Sequence, residues 1–253
     1  MFKKRKNIVR KKPELKVALI TGGSSGIGRE IAKYLAKRNI RIILSARNTA
    51  RLARAYADIK KISPSSLILP ADLTQVGEIE ALAKKVKKEV AKIDILVNAA
   101  GIYHDEDKAF YNIDFDKYTQ SQILETYSVG IIAPTLLCHA LVPLMRKGSK
   151  IINISGTFDG GAKGWLPYYV SKKAIEDLTV GLAQELRSRQ IQVNCISPSD
   201  TLTESYKRFF PQYANPKDCL SPSDIAKLAL FLASKKADHL TGQIIEIKQK
   251  KVA

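Results

Sequence analysis

Seven short runs rich in Ile, Val and Leu recur along the chain, at residues 17–21, 41–46, 66–71, 95–100, 150–155, 191–197 and 244–248. Most are nearly continuous in apolar residues rather than alternating, which predicts strands covered on both faces. Helical periodicity fills the gaps. Residues 27–37 put Ile27, Ile31, Tyr34 and Leu35 on one face, and residues 76–90 turn Ile79, Leu82, Val86 and Val90 inward with lysines outward. Longer helical patterns cover 118–146 and 168–187, and a shorter one opens after Ser221-Pro222-Ser223-Asp224, a helix-start signal. This alternation predicts one α/β domain built on a doubly wound parallel sheet of about seven strands. Right-handed crossovers bring the loops that follow the strands to one edge, where ligands bind.

Composition narrows the picture. The 253 residues are 45% hydrophobic, enough for one sizeable core, with no internal linker or repeat. The expected division is a basic, flexible extension over residues 1–14 and a single domain over 15–253. Net charge is +18, and Lys3, Lys4, Arg5, Lys6, Arg10, Lys11, Lys12 and Lys16 stand against Glu14 alone at the N-terminal end. Such a tail is expected to be solvated; no recognition motif accompanies the charge to recommend nucleic acid. Its basic residues run into Asn7-Ile8-Val9 and then more charge, which is not the apolar core of a signal peptide. The longest apolar stretch, 129–145, contains Pro134, His139 and Pro143 and reads as a buried helix rather than a membrane span. Cys138, Cys195 and Cys219 lack metal or redox spacing, as do His104, His139 and His239. All six are taken as structural, with no metal expected and a cytoplasmic setting.

The strongest chemical signal is Thr21-Gly22-Gly23-Ser24-Ser25-Gly26-Ile27-Gly28, between the first strand and the first helix. Glycines there permit a tight turn, and free N–H groups with the positive helix end face a pyrophosphate. The second strand ends Leu44-Ser45-Ala46-Arg47-Asn48, without the acid that would accept from an adenine ribose. Arg47 offers a planar donor suited to a 2′-phosphate, so NADP(H) is expected, with NAD(H) left open. Two Tyr/Lys pairs at helical i,i+4 spacing, Tyr168/Lys172 and Tyr169/Lys173, could each carry proton transfer beside a nicotinamide.

The spacing Thr-Gly-x-x-x-Gly-x-Gly resembles the short-chain dehydrogenase/reductase family, and the resemblance extends over residues 17–247. Val97-Asn98-Ala99-Ala100-Gly101 is similar to the family's Asn-Asn-Ala-Gly element, with Ala99 in place of the second Asn. Tyr168-Tyr169-Val170-Ser171-Lys172 is similar to its Tyr-x-x-Ser-Lys helix, a register that selects Tyr168 and Lys172. Residues 194–203 resemble its Pro-Gly loop, with Pro198 and Thr203 kept and Ser199 where Gly is usual. The resemblance implies a Rossmann-like fold and hydride transfer between a ketone or aldehyde and an alcohol, a 3-oxoacyl thioester being one candidate. Tyr168 would be the proton donor or acceptor, helped by Lys172, with Ser155 polarising the carbonyl. It also implies cofactor contacts at Thr21, Gly22, Ser24, Ser25, Gly26, Ile27, Gly28, Arg47, Asp72, Leu73, Asn98, Ala99, Ala100, Gly101, Tyr168, Lys172, Pro198, Ser199, Thr201 and Thr203.

The sequence departs from the family in places. Counted from Ile152-Asn153-Ile154 the catalytic serine falls at Gly156; counted thirteen residues back from Tyr168 it falls at Ser155, and Thr157 is a further donor. In Val129-Gly130-Ile131-Ile132-Ala133-Pro134, Gly130 occupies the position of the family's catalytic Asn; its carbonyl is expected to hold a water linking Lys172 to solvent. Tyr103, His104, Trp165, Tyr206, Phe209 and Phe210 fall in loops at the catalytic edge, either lining an apolar pocket or packing a lid over 203–218. The positive charge permits an anionic carrier-linked substrate. A homodimer or homotetramer through the long helices is implied; Gln249-Lys250 replaces the usual glycine pair at the end of the last strand, which weakens the tetramer. The alternative to an enzyme is a catalytically weak nucleotide-binding sensor or scaffold of the same fold.

Overall fold

The structure, a computed structural model, describes residues 15–105 and 107–249. The expected basic extension, 1–14, lies outside the described residues. Seven parallel strands form one sheet in the order β3-β2-β1-β4-β5-β6-β7: β1 (Val17–Thr21), β2 (Arg41–Ser45), β3 (Leu67–Ile68), β4 (Ile93–Asn98), β5 (Met145–Ile154), β6 (Gln192–Pro198) and β7 (Ile244–Ile247). The chain runs outward one way from β1 and then returns past it to β4. That reversal opens a crevice beyond the carboxyl ends of β1 and β4.

Side chains alternate about the sheet, and both faces are covered. Leu19, Leu96 and Ile151 face a core shared with α3 (Val76–Glu89) and α5 (Ala133–Leu141). Ala18, Ile20, Ile95, Val97 and Ile152 face the other core, with α1 (Gly26–Ala36), α2 (Thr49–Ile62) and α8 (Pro222–Leu232). Because successive residues both meet a core, the strands need unbroken apolar runs. The register Leu19↔Leu96 and Ile152↔Asn194 shows this pairing on both sides of the centre. Ile31 and Leu35 of α1 are fully buried, each contributing roughly 1.5–3 kcal/mol of transfer free energy.

The helix expected over 118–146 is interrupted. A Thr119/Gln122 capping box starts α4 (Gln120–Tyr127), a wider turn follows at Ser128–Ile132, and α5 resumes at Ala133. The reason is Pro134, which has no N–H to return to the carbonyl four residues back. The ladder widens there, and the Ala133 N–H reaches back five residues to the Ser128 carbonyl. The far end of that stretch already belongs to β5, which begins at Met145. By length and composition Gln120–Leu144 is apolar enough to cross a membrane, yet Leu137, Cys138 and Leu141 are wholly buried against the sheet. The 20-residue α6 (Leu166–Glu185) runs beside it, and α7 (Glu204–Phe209) is a short helix in the loop after β6.

Candidate active site

β1 delivers the chain into the glycine loop, and α1 starts at Gly26. Gly22 has φ +66°, and a Cβ there would stand 2.9 Å from the backbone of Ala100 and from the Ala99 carbonyl oxygen. The loop after β1 therefore lies directly on the loop after β4, a contact only glycine permits. This approach forms one wall of a cleft of about 920 Å³, in the range of small-molecule sites. The cleft gathers Gly22, Ser24, Ser25, Gly26, Ile27 and Gly28 from the first loop, Arg47 after β2, and Asp72 and Leu73 after β3. Ala99, Ala100 and Gly101 come from the loop after β4, Ser155 from the end of β5, Tyr168 and Lys172 from α6, and Thr203 from the loop after β6.

Five expected contacts are not in its lining. Thr21 is buried, with its hydroxyl 3.4 Å from both the Val97 carbonyl and the Ala100 N–H, so it ties β1 to β4. Asn98 donates to Asn153 Oδ1 at 2.9 Å, and Asn153 donates to Thr179 at 2.8 Å, a polar chain through β4, β5 and α6 beneath the cleft. The Pro198 carbonyl accepts from the Thr157 N–H, the Ser199 N–H donates to Ile247, and Thr201 donates to the Ser199 carbonyl at 2.8 Å. These residues shape the loop after β6 instead of lining the cleft.

A dinucleotide fits this cleft. The glycine loop and the start of α1 line the cleft, and the buried Arg29 Nε in the first turn of α1 has no hydrogen-bond partner. Arg51 and Arg208 join exposed Arg47 in the lining. Arg51 is four residues beyond Arg47 on α2, a helix whose Leu52, Ala55 and Ile59 are buried. That spacing was the signal available for α2, and sequence reasoning had passed over it.

On α6, Tyr168 and Lys172 share the face toward the cleft, with the Lys172 ammonium 5.2 Å from the Tyr168 ring centre. Lys172 is buried and donates to the Ile154 carbonyl at 3.0 Å, which fixes its position at the end of β5. Burial pulls its ammonium down to about 8, against Cys195 and Glu176, which favour the charge. Burial also pushes the Tyr168 phenol well above its usual range, and Tyr103 adds to this. Desolvation is thus the dominant influence on the phenol, which keeps its proton at neutral pH. The rival Lys173 lies outside the cleft and pairs with Glu176 at 2.9 Å.

Ser155 borders the cleft, but its hydroxyl is committed elsewhere. It donates to Glu176 Oε1 at 2.6 Å, and Ser197 donates to the same oxygen at 3.2 Å. Glu176 is a buried carboxylate that sequence reasoning missed; its only signal is the i+4 spacing from Lys172 on the inward face of α6. At Gly156 no hydroxyl is available, and a Cβ would find only Phe158 and the Pro198 carbonyl beyond 3.7 Å. Gly130 is buried against α6, and a Cβ there would meet Ser171 Cβ at 2.7 Å. Its lack of a side chain lets the interrupted helix touch α6 within the Tyr168–Lys172 turn.

The aromatic residues pack mainly on one another. Phe210, with 4% exposure, touches Tyr103, Tyr111, Trp165 and Tyr206, while Tyr103, Phe158 and Trp165 surround the Tyr168 ring at 5.6–6.0 Å. His104, placed by the sequence in a loop at the catalytic edge, lines the cleft: its Nε2 is 3.1 Å from Ser205 Oγ on α7, and its ring lies tilted against Phe209 with centroids 4.4 Å apart. Burial holds its imidazole below the usual range, and Arg47, Arg51 and Arg208 act in the same direction. Glu204, also absent from the sequence-based site, reaches the glycine loop across 178 positions, a proximity no local pattern encodes.

Comparison with known proteins agrees with this geometry. A family model described as short chain dehydrogenase matches residues 16–214. A short-chain dehydrogenase/reductase of Armillaria gallica is 32% identical, covering 92% of this chain and 94% of its own. A 3-oxoacyl-[acyl-carrier-protein] reductase of Staphylococcus aureus is 30% identical over 92% of this chain and 96% of its own. Among solved structures, an angucycline C-6 ketoreductase with bound NADP superposes with a TM-score of 0.81 at 26% identity, covering 91% of this chain and 93% of its own.

Proposed function

The chain belongs to the short-chain dehydrogenase/reductase family, oxidoreductases acting on CH–OH and C=O groups, and from that premise we propose that it is an NADP(H)-dependent carbonyl reductase. The observation that carries the proposal is Tyr168 and Lys172 on one face of α6, lining the same cleft as the glycine loop. The dinucleotide, when bound, supplies the hydride. Tyr168 donates its proton to the carbonyl oxygen, so that C=O becomes CH–OH. Lys172, anchored on the Ile154 carbonyl, holds a cation beside the ring and favours the phenolate left after transfer. Arg47, with Arg51 and Arg208, supports the preference for a 2′-phosphate, and the NADP carried by the ketoreductase neighbour supports it as well.

The aromatic enclosure around Tyr168 supports an apolar carbonyl substrate, and the 3-oxoacyl relative supports a thioester among the compounds to test. Exposed Leu124 and Ile132 on α4 and the turn after it, with Val170 and Val180 on α6, support a homodimer through these helices. The test is NADPH oxidation against ketones, aldehydes and 3-oxoacyl thioesters. Wild type is expected to turn over one of these classes, and Tyr168→Phe to lose turnover by at least about a hundredfold while still binding NADPH. Near-normal rates in that variant, or tighter binding of NADH than of NADPH, would overturn the proposal. A second reading, a dinucleotide-binding sensor of weak catalysis, is favoured by the commitment of Ser155 to Glu176 and by Gly156. NADPH binding without turnover of any carbonyl class would select it.

A further inference from the structure

We propose that Glu204, at the start of the short helix α7, is a built-in competitor for the cofactor's pyrophosphate at the N-terminus of α1. The proposal rests on the dinucleotide-binding reading above and goes beyond it by assigning a carboxylate that opposes the ligand. The first turn of α1 contains no acidic residue, and the Ser25 side chain makes no capping bond. That helix end carries free N–H groups and a positive dipole with no local anion to meet them. Glu204 fills the position from the other side of the molecule. Its Oε2 accepts from the Gly26 N–H at 3.1 Å, and its Oε1 contacts the Arg29 guanidinium. The neighbouring Thr203 side chain also packs on Gly26, where a Cβ would stand 3.0 Å from its methyl.

The carboxylate is held below its usual range: burial alone would raise it, but its own helix start, Arg29 and the Gly26 N–H outweigh that. It is therefore an anion at neutral pH, seated on the N–H group that a phosphate oxygen would use. Both cannot occupy that position, and two like charges at hydrogen-bond separation repel. The latch is weak enough to yield. The Glu204 side chain is 57% exposed and Arg29 31%, so their pairing is a surface-type contact that a multiply bonded pyrophosphate outcompetes. Release has a mechanical consequence, because α7 also holds Ser205 against His104 and Phe209 against the same ring. Arrival of the pyrophosphate frees one end of the segment that spans from the glycine loop to the aromatic enclosure.

Glu204→Gln keeps the size of the side chain and removes the charge. Expected is a roughly fivefold tighter Kd for NADPH, equivalent to about 1 kcal/mol, with unchanged affinity for adenosine 2′-monophosphate, which lacks the pyrophosphate. The melting temperature without cofactor should fall slightly as the pair with Arg29 is lost, while the rise produced by saturating NADPH should grow. An NADPH Kd equal to or weaker than that of wild type would overturn the proposal and make Glu204 a lid anchor. A tightening shared equally by adenosine 2′-monophosphate would overturn it too, since the effect would then not be on the pyrophosphate. Absence of dinucleotide binding to both proteins would sink the reading of the cleft together with this inference; binding to both with equal Kd sinks this inference alone.

Discussion

Gly130→Ala sets two forces against each other at the contact beneath the Tyr168–Lys172 turn. By helix propensity alone, replacing an interior glycine with alanine stabilises by about 1 kcal/mol. The new Cβ would stand 2.7 Å from Ser171 Cβ and 2.9 Å from Ser171 Oγ. Neither Cβ can rotate away, and α6 is pinned at this turn by the Lys172 bond to the Ile154 carbonyl. Overpacking of such a contact costs roughly 1–3 kcal/mol. The net expectation is a loss of up to about 2 kcal/mol, or several degrees in Tm for a chain of this size. The sharper measurement is a double-mutant cycle with Ser171→Gly, followed by urea unfolding. With the Ser171 Cβ gone, Gly130→Ala should stabilise by about its propensity of 1 kcal/mol, giving a coupling of roughly 1–3 kcal/mol between the two positions. A coupling within about 0.5 kcal/mol of zero would show that the helices do not meet as described. Gly130→Asn carries the same Cβ and is expected to lower both stability and turnover, not to restore a relay.

Two further outcomes follow from the buried charges. Ser155→Ala should lower kcat by less than about tenfold, because the hydroxyl is given to Glu176; a loss of about a hundredfold or more, as for an oxyanion donor, would place it on the carbonyl. For Lys172 the ammonium titrates near 8 when folded and near 10.4 when unfolded, so its burial cost is full below pH 8 and is relieved as pH rises between those values. Unfolding free energy of wild type minus that of Lys172→Met should therefore increase from pH 8 to 10; a flat or falling difference would contradict the burial.

Strand positions were legible because a two-sided parallel sheet demands unbroken apolar runs, and 17–21 and 41–46 meet β1 and β2 almost residue for residue. The glycine loop and the Tyr168/Lys172 pair were legible for a similar reason: each lies within one or two adjoining elements, so its spacing is written locally. Ser155 marks the limit. Its position near the cleft could be counted from either neighbour, but the direction of its hydroxyl depends on a carboxylate 21 positions on, in the middle of α6. The break in the helix at Ser128–Ile132 was implicit in Pro134, whereas the reason for Gly130 required seeing α6 against it.

The sequence by itself determined the order of the elements, the edge at which the cleft opens and the Tyr168/Lys172 pair that lines it, since these follow from periodicity and short-range spacing. Only the tertiary structure decided which polar groups neutralise one another. Glu176 takes the hydroxyl of Ser155, Glu204 takes the Gly26 N–H at the start of α1, and burial pushes the Tyr168 phenol up. The physical reason is that hydrogen bonds and burial act through space over a few ångströms, between residues that lie 21 and 178 positions apart along the chain.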